Sequence, residues 1–332
     1  MRLQPLRMML ALFAFIWALP ALAQTFTVSS IGAANLGNVA AASSGQSIFR
    51  AAASSGTVTK LSGNGVRLGS SSVRSLVTIA CGNQTACNTA NALVTITTTG
   101  SPTGRAAALQ NFTVSTSGAT ATIVLAPGTG SSISFRIGPV GRNSSKTFWV
   151  GYDLPINGDN TAGSTGSATS GLVVTVSRTN SSFPNSRAGS VGASVFRAIS
   201  ITNTASLAFG RVTLPRSGLA TVSLVPATEL VTVTGTGIIA FASPTPTAAA
   251  FSVSGEGAQA ITVSVPGSFT LTGPAGTLTV TTIPSVSGTQ VLSGTLGAAG
   301  ALTVKVGGSF GLSTSTASGT YTGTISVTVQ YN

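Results

Sequence analysis

The chain has 332 residues, with 16 Lys+Arg against 4 Asp+Glu, no histidine and a formal net charge of +12. General acid–base chemistry draws on histidine or on carboxylate pairs of separated pKa, and a serine triad needs a histidine, so Asp153, Asp159, Glu229 and Glu256 alone argue against an enzyme. Glycine at 40 residues, 6% charged residues and abundant Ser, Thr and Val describe an all-β, extracytoplasmic protein instead.

In chain order, Arg2 and Arg7 precede the apolar run Met8–Trp17, which is followed by Pro20 and the small-residue ending Ala21-Leu22-Ala23. Residues 1–23 therefore read as a secretory signal peptide, cleaved before Gln24. The run is shorter than the ~20 residues that cross a bilayer, and no later stretch reaches that length. Export to the periplasm and onward to the cell surface or medium is expected. Cys81 and Cys87 bracket the polar stretch Gly82–Ala86. In an oxidising compartment they should form a disulfide, since two cysteines without histidine cannot complete a tetrahedral zinc site.

Apolar residues then recur with period two. Val94/Ile96, Phe112/Val114, Ile133/Phe135/Ile137 and Phe148/Val150/Tyr152 alternate with polar neighbours, and Val231/Val233, Phe251/Val253, Ile261/Val263/Val265 and Leu302/Val304/Val306 do so later in the chain. Gly, Pro, Asn and Ser clusters bound each run, as expected of short strands in a β-sandwich. The chain also repeats itself: Leu36-Gly37-Asn38-Val39 returns 173 positions later as Phe209-Gly210-Arg211-Val212. A repeat this long is a domain. Two tandem β-sandwiches are predicted, at 24–178 and 191–332, with 179–190 as linker. The alternating strand Val191, Ala193, Val195 could belong to either.

Asp153-Leu154-Pro155-Ile156-Asn157-Gly158-Asp159-Asn160 gathers two carboxylates and two amides, but it lacks the spacing of an EF-hand loop and reads as a plain turn. No metal or cofactor is expected. Basic residues concentrate in the first half, where guanidinium groups could meet an anionic surface or glycan, or could serve solubility alone. They are scattered and lack interleaved aromatics, which disfavours nucleic acid.

In the last fourteen residues, Tyr321, Ile325, Val327, Val329 and Tyr331 fall on one face and Thr322, Thr324, Ser326, Thr328 and Gln330 on the other. This tail resembles the C-terminal signature of chaperone–usher pilus subunits: Gly319 fourteenth from the end, a penultimate Tyr331 and alternating apolar residues between. It is similar to the archaic, spore coat protein U type, and from about Ile199 onward the chain resembles domain-of-unknown-function family 4402. The first copy matches far more loosely, and the doubled domain departs from the family pattern.

The resemblance implies that the sandwiches are immunoglobulin-like and that the C-terminal one lacks its last strand and is completed by a strand from a periplasmic chaperone and then from a neighbouring subunit delivered by an outer-membrane usher. Gly319, Tyr321, Ile325, Val327, Val329 and Tyr331 would then border the acceptor groove. Because only Gln24 and Thr25 would precede the first strand after cleavage, the chain is expected to accept a strand but not to give one, which suits a two-domain tip adhesin with the first copy as head. The alternative is a secreted binding or biofilm-matrix protein with two complete sandwiches.

Overall fold

The computed structural model describes residues 25–160, 164–179 and 183–332. The segment read as a signal peptide lies outside them, as do residues 180–182 of the expected linker. The described chain is all-β, broken by a single 3-10 turn at Thr85–Asn88. No described helix is long and apolar enough to cross a membrane.

Period-two alternation becomes burial directly: in Ser75–Cys81 every second residue is buried, and the same holds along Ser132–Ile137. The first unit packs two sheets face to face. One runs in the order Thr27–Ile31, Ser75–Cys81, Ser144–Asn157, Gln46–Ala51, Val58–Ser62, with Gln110–Ser115 also pairing to the long strand Ser144–Asn157. The other runs Val66–Arg67, Ala34–Ala40, Asn185–Phe196, Gly166–Arg178, Ala92–Thr103, Ser132–Ile137, Ile123–Leu125. Leu36, Phe49, Val77, Ile96, Phe135, Phe148 and Val174 fill the space between them. Phe135 and Phe148 meet edge to face with centroids 5.2 Å apart, a favoured aromatic geometry.

The second unit repeats the strand order of the first sheet, Ser200–Ala205, Ala249–Glu256, Ala299–Ser313, Ser217–Leu224, Val231–Thr236, with Gly276–Pro284 on the long strand, and adds Ser268–Gly273 beside Gly276–Pro284. The repeat extends to single bonds. Leu68 donates its N–H to Asn38 O at 2.9 Å, and Phe241, 173 positions on, donates to Arg211 O at 2.9 Å. Gly151 and Gly307 stand at equivalent points of the long strands, where a side chain would run into the backbone oxygens of Ala51 and Leu224.

The second sheets differ. In the second unit only Gly288–Val291, Ala260–Ser264 and Thr328–Tyr331 are hydrogen-bonded there. They correspond to Ser132–Ile137, Ala92–Thr103 and Gly166–Arg178. Among the described residues, nothing in the second unit corresponds to Asn185–Phe196.

That strand also corrects the expected partition. Residues 185–196 belong neither to a linker nor to the second unit. They pair antiparallel with Gly166–Arg178 from Gly166↔Val195 to Val176↔Asn185, and parallel with Ala34–Ala40 from Val191↔Ala34 to Phe196↔Ala40. Val191, Ala193 and Val195 are buried in the first core. An alternating apolar strand has to cover an apolar face, and the one it covers is the first unit's own.

Cys81 and Cys87 are joined, and no free cysteine is present among the described residues. Closing so short a loop contributes roughly 2 kcal/mol on a chain-entropy estimate. Thiol labelling of the folded, exported protein should therefore find neither residue reactive, and quantitative labelling without denaturant would show the bridge to be absent in solution.

Candidate assembly groove and the joint beside it

The place that Asn185–Phe196 fills in the first unit is a cavity in the second. Its volume is about 1010 Å³, and Leu207, Phe209, Leu214, Phe269, Leu271 and Phe310 contribute to its wall. Phe209 and Phe310 stack edge to face at 4.9 Å. Residues 207–213 form one bank and correspond to Ala34–Ala40. The outer side of this bank is bonded, Ala208 to Thr247 in both directions and Thr213 N–H to Ile239 O at 2.9 Å. The tail forms the other bank. No described strand lies between them.

The tail residues divide into two groups. Gly319, Tyr321 and Ile325 line the cavity. Val327 and Val329 are half-buried beside Ile325 against the core cluster that contains Phe251, Val263, Val304 and Tyr331. Tyr331 is buried: its hydroxyl donates to Arg197 O at 2.9 Å and accepts from Glu256 N–H at 2.7 Å, while its ring lies 6.0 Å from Phe196. The Tyr321 hydroxyl donates to Ala317 O at 2.8 Å.

The expected strand Tyr321–Tyr331 is hydrogen-bonded as a strand only over Thr328–Tyr331, apart from a bridge between Thr322 and Thr272. Residues 323–327 keep the alternation without a ladder. On one side their neighbour is interrupted at Val265-Pro266-Gly267, where proline has no N–H to offer. On the other side lies the cavity.

The lining residues on the Leu207–Leu214 bank were not singled out from sequence. The signal was present, since Phe209-Gly210-Arg211-Val212 marks the repeat. It identifies a groove only once the strand beside Leu36–Val39 is known.

Between the units lies a polar joint. Glu256 is fully buried and accepts from Arg197 N–H at 3.1 Å, Gly297 N–H at 2.5 Å and the Thr165 hydroxyl at 3.2 Å. Asp159 pairs with Arg105 and accepts from Ala198 N–H at 2.7 Å. From the first unit, Ala40, Leu68 and Phe196 pack into the second unit's cluster.

Asp153 is not in a turn. It lies in Ser144–Asn157, buried, gripped by Arg50 at 2.7 and 2.8 Å and by the Asn111 amide at 2.8 Å. The Asp153 bonds raise the Arg50 pKa above its ordinary value. With Lys305–Glu229 at 2.7 Å, all four carboxylates of the chain take part in ion pairs. Several arginines of the first half are likewise engaged within the fold. Arg67 donates to Leu36 O at 2.6 Å, and Arg74 reaches Ala53 O and Ser54 O while its guanidinium lies 3.8 Å above the Trp149 ring. No group of three or more metal-ligating side chains occurs among the described residues.

Burial raises the Tyr331 hydroxyl pKa and pushes that of Tyr152 up to about 12. The folded state thus favours neutral tyrosine. The associated stability is present below the ordinary tyrosine pKa near 10 and is lost as pH rises from there towards 12. Denaturant titrations should show roughly 2–3 kcal/mol lost over that window on account of Tyr152 alone. A flat profile to pH 12 would contradict the burial of its hydroxyl.

The family described as Domain of unknown function (DUF4402) matches residues 199–331, which is the second unit. No curated protein matches the chain. Among solved structures, the chain is similar to one from a chaperone–tip adhesin complex in CFA/I fimbriae biogenesis, at 11% identity over 92% of this chain and 98% of that one, with a TM-score of 0.23. It is also similar to one from the CsuC–CsuE chaperone–tip adhesion subunit pre-assembly complex of archaic chaperone-usher Csu pili of Acinetobacter baumannii, at 10% identity over 92% and 99% of the two chains, with a TM-score of 0.28.

Proposed function

We propose that the protein is a structural and adhesive subunit of a bacterial surface fibre, and that its second unit is completed by a β-strand from a partner. The supporting observation is internal. Two copies of one sandwich stand in tandem; the first has its gap closed by Asn185–Phe196, and the second has a cavity of about 1010 Å³ at the same place. An apolar gap with two unpaired backbone edges is an aggregation hazard that an added strand removes, with main-chain bonds giving affinity and alternate side chains giving specificity.

On this reading a periplasmic chaperone holds the groove first, an outer-membrane usher presents the subunit, and a neighbouring subunit supplies the lasting strand. The first unit needs no such partner, because its closing strand is covalently continuous with it. It is therefore the head, and the chain sits at the fibre tip.

The test is to express residues 24–332 alone and to add a peptide with the sequence of Asn185–Phe196. The free chain should self-associate or melt early, and the peptide should restore a monomer with a raised melting midpoint. A stable monomer indifferent to the peptide would favour a self-contained secreted protein.

A further inference from the structure

The strand that closes the first unit leads straight into the second. Phe196 ends it, and Ala198 already donates to Asp159. At this crossing the end of the first unit rests on its neighbour, with Leu68 and Ala40 packed into the second unit's core cluster and the Thr165 hydroxyl bonded to buried Glu256 at 3.2 Å.

The repeat places counterparts of these contacts at the opposite end of the second unit. Phe241 corresponds to Leu68, each donating its N–H to the matching carbonyl, and Thr213 corresponds to Ala40. Val176 and Arg178 pair with Val94 and Ala92 as Val329 and Tyr331 pair with Val263 and Ile261. In that register Thr165-Gly166 corresponds to Ser318-Gly319, and both glycines hold positive φ, at 96° and 150°. An end that is covered in the first unit is bare in the second. Phe241 is 43% exposed and Ser318 is exposed.

Strand direction supplies the occupant. Asn185–Phe196 runs antiparallel to Gly166–Arg178 and leaves the sheet beside Gly166, opposite Val195. A strand in the second groove with the same sense would leave beside Gly319, which lines the groove together with Ser318. Whatever follows that strand arrives on the end that carries Phe241.

We infer that the Phe241–Ser318 end of the second unit is a docking face for another β-sandwich unit of the kind spanned by residues 199–331, carried by the partner chain and entering directly behind its groove-filling strand. Phe241 takes the place of Leu68 against the partner's core, and Ser318 meets a buried carboxylate placed as Glu256 is here. An aromatic anchor at the centre of a joint is a common source of binding energy. The inference rests on the groove reading above.

Two extended forms of the chain test it. One carries, after Asn332, a flexible linker and a second copy of Asn185–Phe196; the other carries the same linker and a second copy of 185–332. Phe241→Cys and, separately, Ser318→Cys are placed in both forms, and maleimide labelling rates are compared. Both extensions should raise the melting midpoint of the second unit, and the longer one should label about tenfold or more slowly than the shorter at each cysteine. Raised midpoints with equal labelling would overturn the docking face and leave the groove reading intact. No rise in midpoint with either extension would overturn both.

Discussion

Aspartate at Val174 is expected to unfold the first unit, whereas aspartate at its counterpart Val327 should cost far less until the groove is filled. Val174 is fully buried, with Ile96 opposite it on one side and Arg187 on the other. A charge introduced there has no partner in the core, and a penalty of several kcal/mol is enough to abolish a marginally stable sandwich. Val327 is only half-buried, and no strand lies on its groove side among the described residues. The free chain should therefore lose about 1–2 kcal/mol with Val327→Asp, less than the full burial of a valine. Once a filler strand is supplied, the same substitution should approach the Val174 penalty, and fibre assembly should fail. The two units can be followed separately. The chain has two tryptophans, and Trp149, in the first unit, is the one that remains after removal of residues 1–23. Denaturant curves by Trp149 fluorescence then report the first unit, and circular dichroism reports both. Equal losses for the two variants in the free chain would show that the second groove is already closed.

Alternation and repetition were the legible parts of this fold. Runs such as Ile133/Phe135/Ile137 and Phe148/Val150/Tyr152 went to the core with their polar neighbours outside, because in a strand the side-chain period is fixed by the backbone. The 173-residue repeat was legible for a similar reason: Gly37 and Gly210, 173 positions apart, both hold the left-handed backbone, at φ 78° and 74°, which other residues rarely adopt. What could not be read was pairing between distant strands. Val191, Ala193 and Val195 announce a strand but not its sheet, and their placement depends on the parallel match to Ala34–Ala40, more than 150 residues away. The groove shared this limit, since one of its two banks comes from residues 207–214, whose role follows from what is absent beside them. Asp153 was misplaced because Asp, Pro, Asn and Gly favour turns in general. Here Arg50 and Asn111 satisfy the carboxylate within a strand, and this tertiary pairing overrides the local preference.

Replacing Glu256 with alanine should destabilise the second unit by about 3–5 kcal/mol and free the two units to move against each other. The carboxylate is fully buried, and its two oxygens take three hydrogen bonds from both sides of the joint: Arg197 and Gly297 N–H and the Thr165 hydroxyl. The Arg197 guanidinium lies nearby, its Nε 3.7 Å from Oε2 and without a hydrogen-bond partner of its own. Alanine removes every acceptor at once and leaves buried donors unpaired, which is the expensive way to break such a site. Glutamine is the informative control. It keeps one acceptor oxygen and the side-chain volume, so its loss should be about 1.5–3 kcal/mol, the worth of a hydrogen bond to a charged group. The consequence reaches the groove, because Glu256 N–H also donates to the Tyr331 hydroxyl, which in turn donates to Arg197 O. The strand that borders the groove is thus pinned at its far end to the joint, and loosening the joint should weaken capture of a filler strand as well. Calorimetry should show the second unit's transition at a clearly lower midpoint in Glu256→Ala than in the wild-type chain, with the first unit's transition little moved. An unshifted second-unit transition in that variant would mean that the carboxylate does not hold the two units together.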